Sequence, residues 1–227
     1  MCTSRMGENV KRIAICVLII LFSTGLLFGG DRIAEIYNSI SAMSQRITPD
    51  SYRVRVENKT FAEALQDLPE DILTGTGKPA VVVTFKKGEG VRIIIENIKS
   101  EYASLFSMYE DYLKFSGISK VQNPGEFKEL VDMGKVGFYK EDANSVVVQA
   151  WDPEKEEKDN NYALFTLDKK KWVIIKAVYY LDGAPYVQVE NSYKSYGKWY
   201  LPFKIELTNL VDDTSDVFLF QEYTFGG

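Results

Sequence analysis

Apolar and polar positions alternate most persistently between Trp172 and Leu207. Three runs rich in Val, Ile, Tyr, Trp and Phe are cut there by Asp182-Gly183-Ala184-Pro185 and by Ser195-Tyr196-Gly197-Lys198. Runs of this composition between such turn signals predict an antiparallel meander. In the third run Trp199, Leu201, Phe203, Ile205 and Leu207 share one face by strand parity, and Lys198, Lys204, Glu206 and Thr208 share the other. The first run places Val173, Ile175, Ala177, Tyr179 and Leu181 on one face. Its other face, with Trp172, Ile174, Val178 and Tyr180, is also apolar, as in a strand covered on both sides.

Upstream, Ile33, Ile36, Tyr37, Ile40 and Met43 follow helical spacing up to Pro49. Ser51 to Glu57 alternates as a strand, and Phe61, Ala64, Leu65 and Leu68 suggest a short helix curtailed by Pro69. Val81 to Phe85 and Val91 to Ile95 flank Lys86-Lys87-Gly88-Glu89-Gly90 as a hairpin. Between Ser100 and Phe115 the period changes, and Tyr102, Leu105, Phe106, Tyr109, Tyr112 and Leu113 form a helical stripe. A shorter stripe, Phe127, Leu130 and Val131, follows Asn123-Pro124-Gly125. Strands are predicted again over Lys135–Tyr139, Ser145–Trp151, Tyr162–Leu167 and Asp216–Phe225, with the charged run Glu154–Asp159 as a solvated loop. The sum is about nine or ten strands and a few helices. This predicts an α+β fold built on one strongly curved antiparallel sheet, a half-barrel covered by helices.

The first thirty residues change the picture of where this fold resides. Lys11 and Arg12 precede an uncharged run from Ile13 to Phe28, the order of a secretory signal peptide, with an uncleaved anchor as the alternative. Either way the remainder, residues 31–227, is exported and is expected to form a single domain. Cys2 and Cys16, the only cysteines, both fall in the leader, so the exported part has no disulfide and no thiolate chemistry. The chain carries a net charge of −5, and the leader holds Arg5, Lys11 and Arg12 against Glu8. Its loss leaves an acidic domain that is a poor partner for phosphate backbones, so nucleic acid is not expected.

Histidine is absent altogether, which removes His-based triads, imidazole bases and His-containing zinc sites. Gly75-Thr76-Gly77-Lys78 fails as a phosphate loop, because Ile72 stands at the leading glycine and Pro79 follows the lysine. Ser195-x-x-Lys198 sits in a strand turn without companion motifs, and the acidic cluster Asp212 to Asp216 lacks the glycine and glutamate of a calcium loop. Neither a metal nor a cofactor is expected. Carboxylates are plentiful, but nothing selects one pair for hydrolysis. What remains is shape. A curled sheet with one apolar face, incompletely covered, leaves a pocket suited to hydrocarbon, and each buried methylene stabilises by about 0.8 kcal/mol.

The order leader, helix, strands, lid helices, strand meander resembles the periplasmic lipoprotein carriers of the LolA/LolB-like family. The most specific part runs from Trp172 through Asp182-Gly183 to Gly197-Lys198-Trp199-Tyr200-Leu201-Pro202. The resemblance implies a non-enzymatic periplasmic carrier that shields acyl chains of lipids or lipoproteins and exchanges them with a membrane-protein donor and acceptor. A monomer is expected. On that reading Trp199, Leu201, Phe203, Ile205, Tyr102, Phe106, Tyr109 and Tyr179 are candidate pocket walls. Arg53 and Arg55 on the first strand are candidates to hold the lid through helix carbonyls, against the plainer reading that both face solvent. The helix near Phe61 departs from the family order. Two other readings stand beside the carrier: an envelope sensor or scaffold that binds a protein, and a hydrolase acting through carboxylates.

Overall fold

The computed structural model describes residues 30, 32–66, 69, 72–74, 77–99, 102, 113–152 and 160–226. Helix α1 spans residues 32–47, and its predicted stripe is buried at Ile33, Ile36 and Ile40. Strand β1 (Ser51–Asn58) follows and runs into α2 (Lys59–Ala64), which Asn58 caps by accepting a hydrogen bond from the Phe61 amide at 2.7 Å. The hairpin β2 (Ala80–Lys86) and β3 (Gly90–Glu96) comes next. Helices α3 (Ile118–Gln122) and α4 (Pro124–Asp132), the latter with proline in its first turn, lead into β4 (Val136–Glu141). The meander then runs β5 (Ser145–Trp151), β6 (Tyr162–Asp168), β7 (Ile174–Leu181), β8 (Ala184–Tyr196), β9 (Trp199–Asn209) and β10 (Thr214–Phe225).

All ten strands form one antiparallel sheet in the order β3-β2-β1-β10-β9-β8-β7-β6-β5-β4. The meander β4 to β10 comes back beside β1, so β3 and β4 are left as edges and the sheet is open. Helices α3 and α4 pack on each other, with α3 also against β3 and α4 also against β4. The two short helices thus stand between the edges. The predicted α+β class and curved, helix-covered sheet are what the structure has.

Curvature has a local cause. The β1–β10, β4–β5, β6–β7, β7–β8 and β8–β9 ladders each carry a register shift. Such bulges add a residue to one strand, bend it and increase its twist. They also correct the predicted faces. Thr166 pairs with Lys176 but Leu167 pairs with Ile174, so Ile175 is the extra residue. Ile174 is 2% exposed and Ile175 37%. In β9, Ser192 pairs with Lys204 but Tyr193 with Pro202, which makes Phe203 the extra residue. The single apolar face expected over Trp199 to Leu207 is therefore broken at Phe203.

Candidate functional site

Inside the sheet a hollow of about 650 Å³ lies between β1, β2, β3, β9 and β10 on one side and the segment from Leu113 to Ser119 on the other. Val83, Val91, Ile93, Pro202, Ile205 and Phe220 supply its apolar wall, while Arg92, Lys114 and Glu126 also line it. The wall follows from the alternation in β2 and β3: Val83 and Ile93 are register partners, as are Phe85 and Val91. Tyr52 completes it from β1, its ring stacked on Phe85 at 5.3 Å.

The covering segment is fixed to the sheet by side chains that reach main-chain carbonyls. Tyr179 Oη donates to Phe115 O at 2.8 Å. Asn191 Nδ2 donates to Ser116 O at 2.8 Å and to Ile174 O at 2.9 Å. Tyr193 Oη also donates to Ile174 O, at 2.8 Å. Tyr52 Oη donates to Gln122 Oε1 at 2.8 Å, and Ser44 Oγ of α1 donates to Gln122 O at 3.1 Å. The turn into α3 rests on Gly117 at φ +68°, where a Cβ would meet Phe165 and Ile174 at 3.0 Å. Only glycine combines that left-handed backbone with so close an approach. Burial pushes the Tyr52, Tyr179, Tyr193 and Tyr223 phenols above their ordinary range, with the hydrogen bond to Gln122 partly opposing this at Tyr52.

The residues singled out in the sequence scatter around this hollow. Ile205 lines it. Leu201 is fully buried in the core, and Trp199 and Tyr102 are half-buried against it. Phe203 instead lies with Lys194 and Leu219 in a separate shallow groove, the Lys194 ammonium 5.6 Å from its ring centroid. Tyr179 holds the covering segment and lines a second pocket on the other side of α3. Phe106 and Tyr109 lie outside the described residues. Arg53 and Arg55 are exposed, since β1 alternates strictly and its inward positions are Tyr52, Val54 and Val56. Arg53 pairs with Glu96 on the same outer side, so Tyr179 and Asn191 take the carbonyl contacts expected of an arginine.

Asn191, Gln122, Val83, Val91, Ile93 and Phe220 were not singled out beforehand. Asn191 had a signal, because it is a polar residue at the inward parity of β8 between Val189 and Tyr193. Among the described residues no cluster of three or more carboxylates or thiols could hold a metal ion. At the far end of α1, Arg32 bridges Glu35 and Glu141, each at 2.5 Å, which raises the guanidinium and holds the Glu141 carboxyl below its usual range.

No protein-family description matches the chain, and no curated protein does. Solved structures do. A domain from Vibrio parahaemolyticus assigned to outer membrane lipoprotein sorting shares 12% identity over 85% of this chain and 93% of its own, with a TM-score of 0.48. A DUF1329 family protein from Desulfovibrio piger shares 10% over 85% and 92%, at 0.42. A LolA superfamily protein from Nitrosomonas europaea shares 11% over 88% and 94%, at 0.39. The chain is similar to these proteins in overall arrangement, and the similarity assigns it neither ligand nor partner.

Proposed function

We propose that the protein is a non-enzymatic carrier of the cell envelope that takes an acyl chain of a lipid or lipoprotein into the hollow beneath the segment 113–119. The observation that carries this reading is the hollow itself: about 650 Å³ walled by Val83, Val91, Ile93, Ile205 and Phe220. Hydrocarbon placed there loses its water contact, worth about 0.8 kcal/mol per methylene. Among the described lining residues the hollow carries one carboxylate, Glu126, whereas carboxylate hydrolysis of a glycoside uses a pair. Residues 1–30 export the chain, and a membrane-protein donor and acceptor exchange the cargo with the monomer.

Ile205→Glu places a charge on the wall, and Lys204→Glu changes its half-buried neighbour, which does not line the hollow. Native mass spectrometry of protein purified from its host, together with titration by a fluorescent fatty acid, reads the outcome. The carrier reading expects a bound lipid in the wild type and in Lys204→Glu, and none in a folded Ile205→Glu. Equal uptake by both variants would remove the hollow as the binding site. The scaffold reading draws on exposed Phe138 and Tyr139 of the edge strand β4. A lipid-free wild type that loses a protein partner on Tyr139→Ser would favour it.

A further inference from the structure

A second pocket, of about 420 Å³, lies across α3 from the hollow, against β5, β6, β7 and β8. Its walls are unlike those of the first. Trp151, Phe165, Tyr179 and Leu130 make an apolar floor, and Tyr162, Tyr180 and Tyr186 add phenols. The rings of Tyr162 and Tyr180 are register partners stacked at 4.5 Å. Lys120 reaches this pocket from α3. Its ammonium makes no ion pair or hydrogen bond with a described residue, and Glu126 acts on it only through space. Burial holds Lys120 below the ordinary lysine range, with Glu126 partly offsetting it. Asp152, also on the lining, is exposed. The Tyr162, Tyr180 and Tyr186 hydroxyls likewise make no hydrogen bond to a described residue, so the pocket gathers one cation, one exposed carboxylate and several neutral donors above an aromatic floor.

An unpaired, half-buried ammonium is a standing cost to the fold, and a neutral side chain of equal length would remove it. Its recompense is an anion. We propose that this pocket is a second binding site, separate from the hollow, for the oxyanion headgroup of a single-chain amphiphile. Lys120 Nζ makes the charged contact to a carboxylate or phosphate, and the tyrosine hydroxyls supply the neutral ones. The hydrocarbon next to the headgroup lies on Trp151, Tyr179 and Leu130. Because this pocket and the hollow share no lining residue, the site does not depend on the carrier reading.

The test uses delipidated full-length protein and three probes, oleate, dodecyl phosphate and oleyl alcohol, titrated by calorimetry, with carboxyl-labelled oleate followed by carbon NMR. Wild type should bind at least one of the two anions about tenfold or more tighter than the alcohol, and which of them binds identifies the oxyanion. Lys120→Met should lose that preference and unfold at an equal or higher temperature without ligand. Lys120→Arg should keep the preference, and Ile205→Glu should leave it intact. Equal affinity of the wild type for the alcohol and both anions, or an undiminished preference for the favoured anion in Lys120→Met, would overturn the site. So would loss of the preference in Ile205→Glu, since the headgroup would then belong to the hollow. A large fall in the unfolding temperature of Lys120→Met would also overturn it, by making Lys120 a structural residue.

Discussion

The segment from Leu113 to Gln122 meets two different walls. Toward β2 and β3 it faces Val83, Val91 and Ile93, side chains with no hydrogen bond to make. Toward β7 and β8 it faces Tyr179 and Asn191, which hold its carbonyls at 2.8 Å. The first kind of contact is non-directional, and another hydrocarbon can replace it at little cost. The second cannot be broken cheaply, because a buried carbonyl left without a donor costs about 1–3 kcal/mol. One stretch of chain is therefore anchored along one side and exchangeable along the other. On the proposed carrier function, an apolar guest competes for the second side without disturbing the first.

The largest effect should separate a fully buried core position from one that borders the hollow. Leu167 of β6 is completely buried beside Phe165 and Ile174, whereas Ile93 lines the hollow and is half-buried. Leu167→Ala should destabilise by about 2–5 kcal/mol, as expected for a close-packed site that cannot collapse. Ile93→Ala should cost about 1 kcal/mol, since its side chain already borders empty space. Urea unfolding of both variants measures the difference. Equal losses would mean that Ile93 is packed as tightly as Leu167.

How far the sequence announced this division depends on the period that carried each part. The alternation in β1 reads directly: Tyr52, Val54 and Val56 point in, and Arg53 and Arg55 point out. The turns at Asp182-Gly183 and Gly197 fall where the composition put them, with Asp182, Gly183 and Gly197 all at positive φ. Parity fails wherever a bulge intervenes. Nothing in Ile174-Ile175 or Pro202-Phe203 tells which residue is the extra one, because a bulge is chosen by the neighbouring strand's register and not by the bulged residues alone. The hollow was legible only as a possibility, since its volume depends on how two sides of a curved sheet approach each other. The anchors were half-legible. Asn191 breaks an inward apolar pattern, but its partners Ser116 and Ile174 are 75 and 17 residues away.

The anchored side can be tested next. Asn191→Ala removes the donor to Ser116 O, while Ile174 O keeps the Tyr193 hydroxyl. One orphaned carbonyl predicts a loss of about 1–3 kcal/mol, or a fall in the unfolding temperature on the order of 2–10 °C. Hydrogen exchange should also quicken at the amides of residues 113–122. The β2 and β3 amides should not respond, because their ladder does not involve Asn191. A uniform acceleration across the sheet would show that the anchor supports the whole fold and not the segment alone.

Tyr179→Phe keeps the ring against Phe115 and removes only the hydroxyl; unlike Ser116 O, Phe115 O is only part-buried and water can replace the donor, so a smaller loss of about 0.5–1.5 kcal/mol is expected. The same phenols set an alkaline limit. Burial raises Tyr52, Tyr179, Tyr193 and Tyr223, so the folded protein keeps these protons after the unfolded chain has begun to release them. Their contribution is complete below about pH 10 and is lost as pH rises above it. Urea midpoints measured from pH 8 to 11 should fall steeply at the upper end. They should fall less steeply in Tyr179→Phe, which has one buried phenol fewer.

The smallest effect belongs to the outer face. Arg53 and Glu96 pair at 2.5 Å with side chains 49% and 36% exposed, on the side of β1 away from the covering segment. An exposed pair of this kind contributes about 0.2–1 kcal/mol and weakens as salt screens it. A double-mutant cycle of Arg53→Ala and Glu96→Ala should therefore return a coupling in that range at low salt and less at high salt. Exchange at the amides of residues 113–122 should stay at the wild-type rate in Arg53→Ala, because no bond links Arg53 to that segment. If Arg53→Ala instead accelerated those amides as Asn191→Ala does, the anchor would extend to the outer face. The division between a bonded wall and an exchangeable one would then have to be drawn elsewhere.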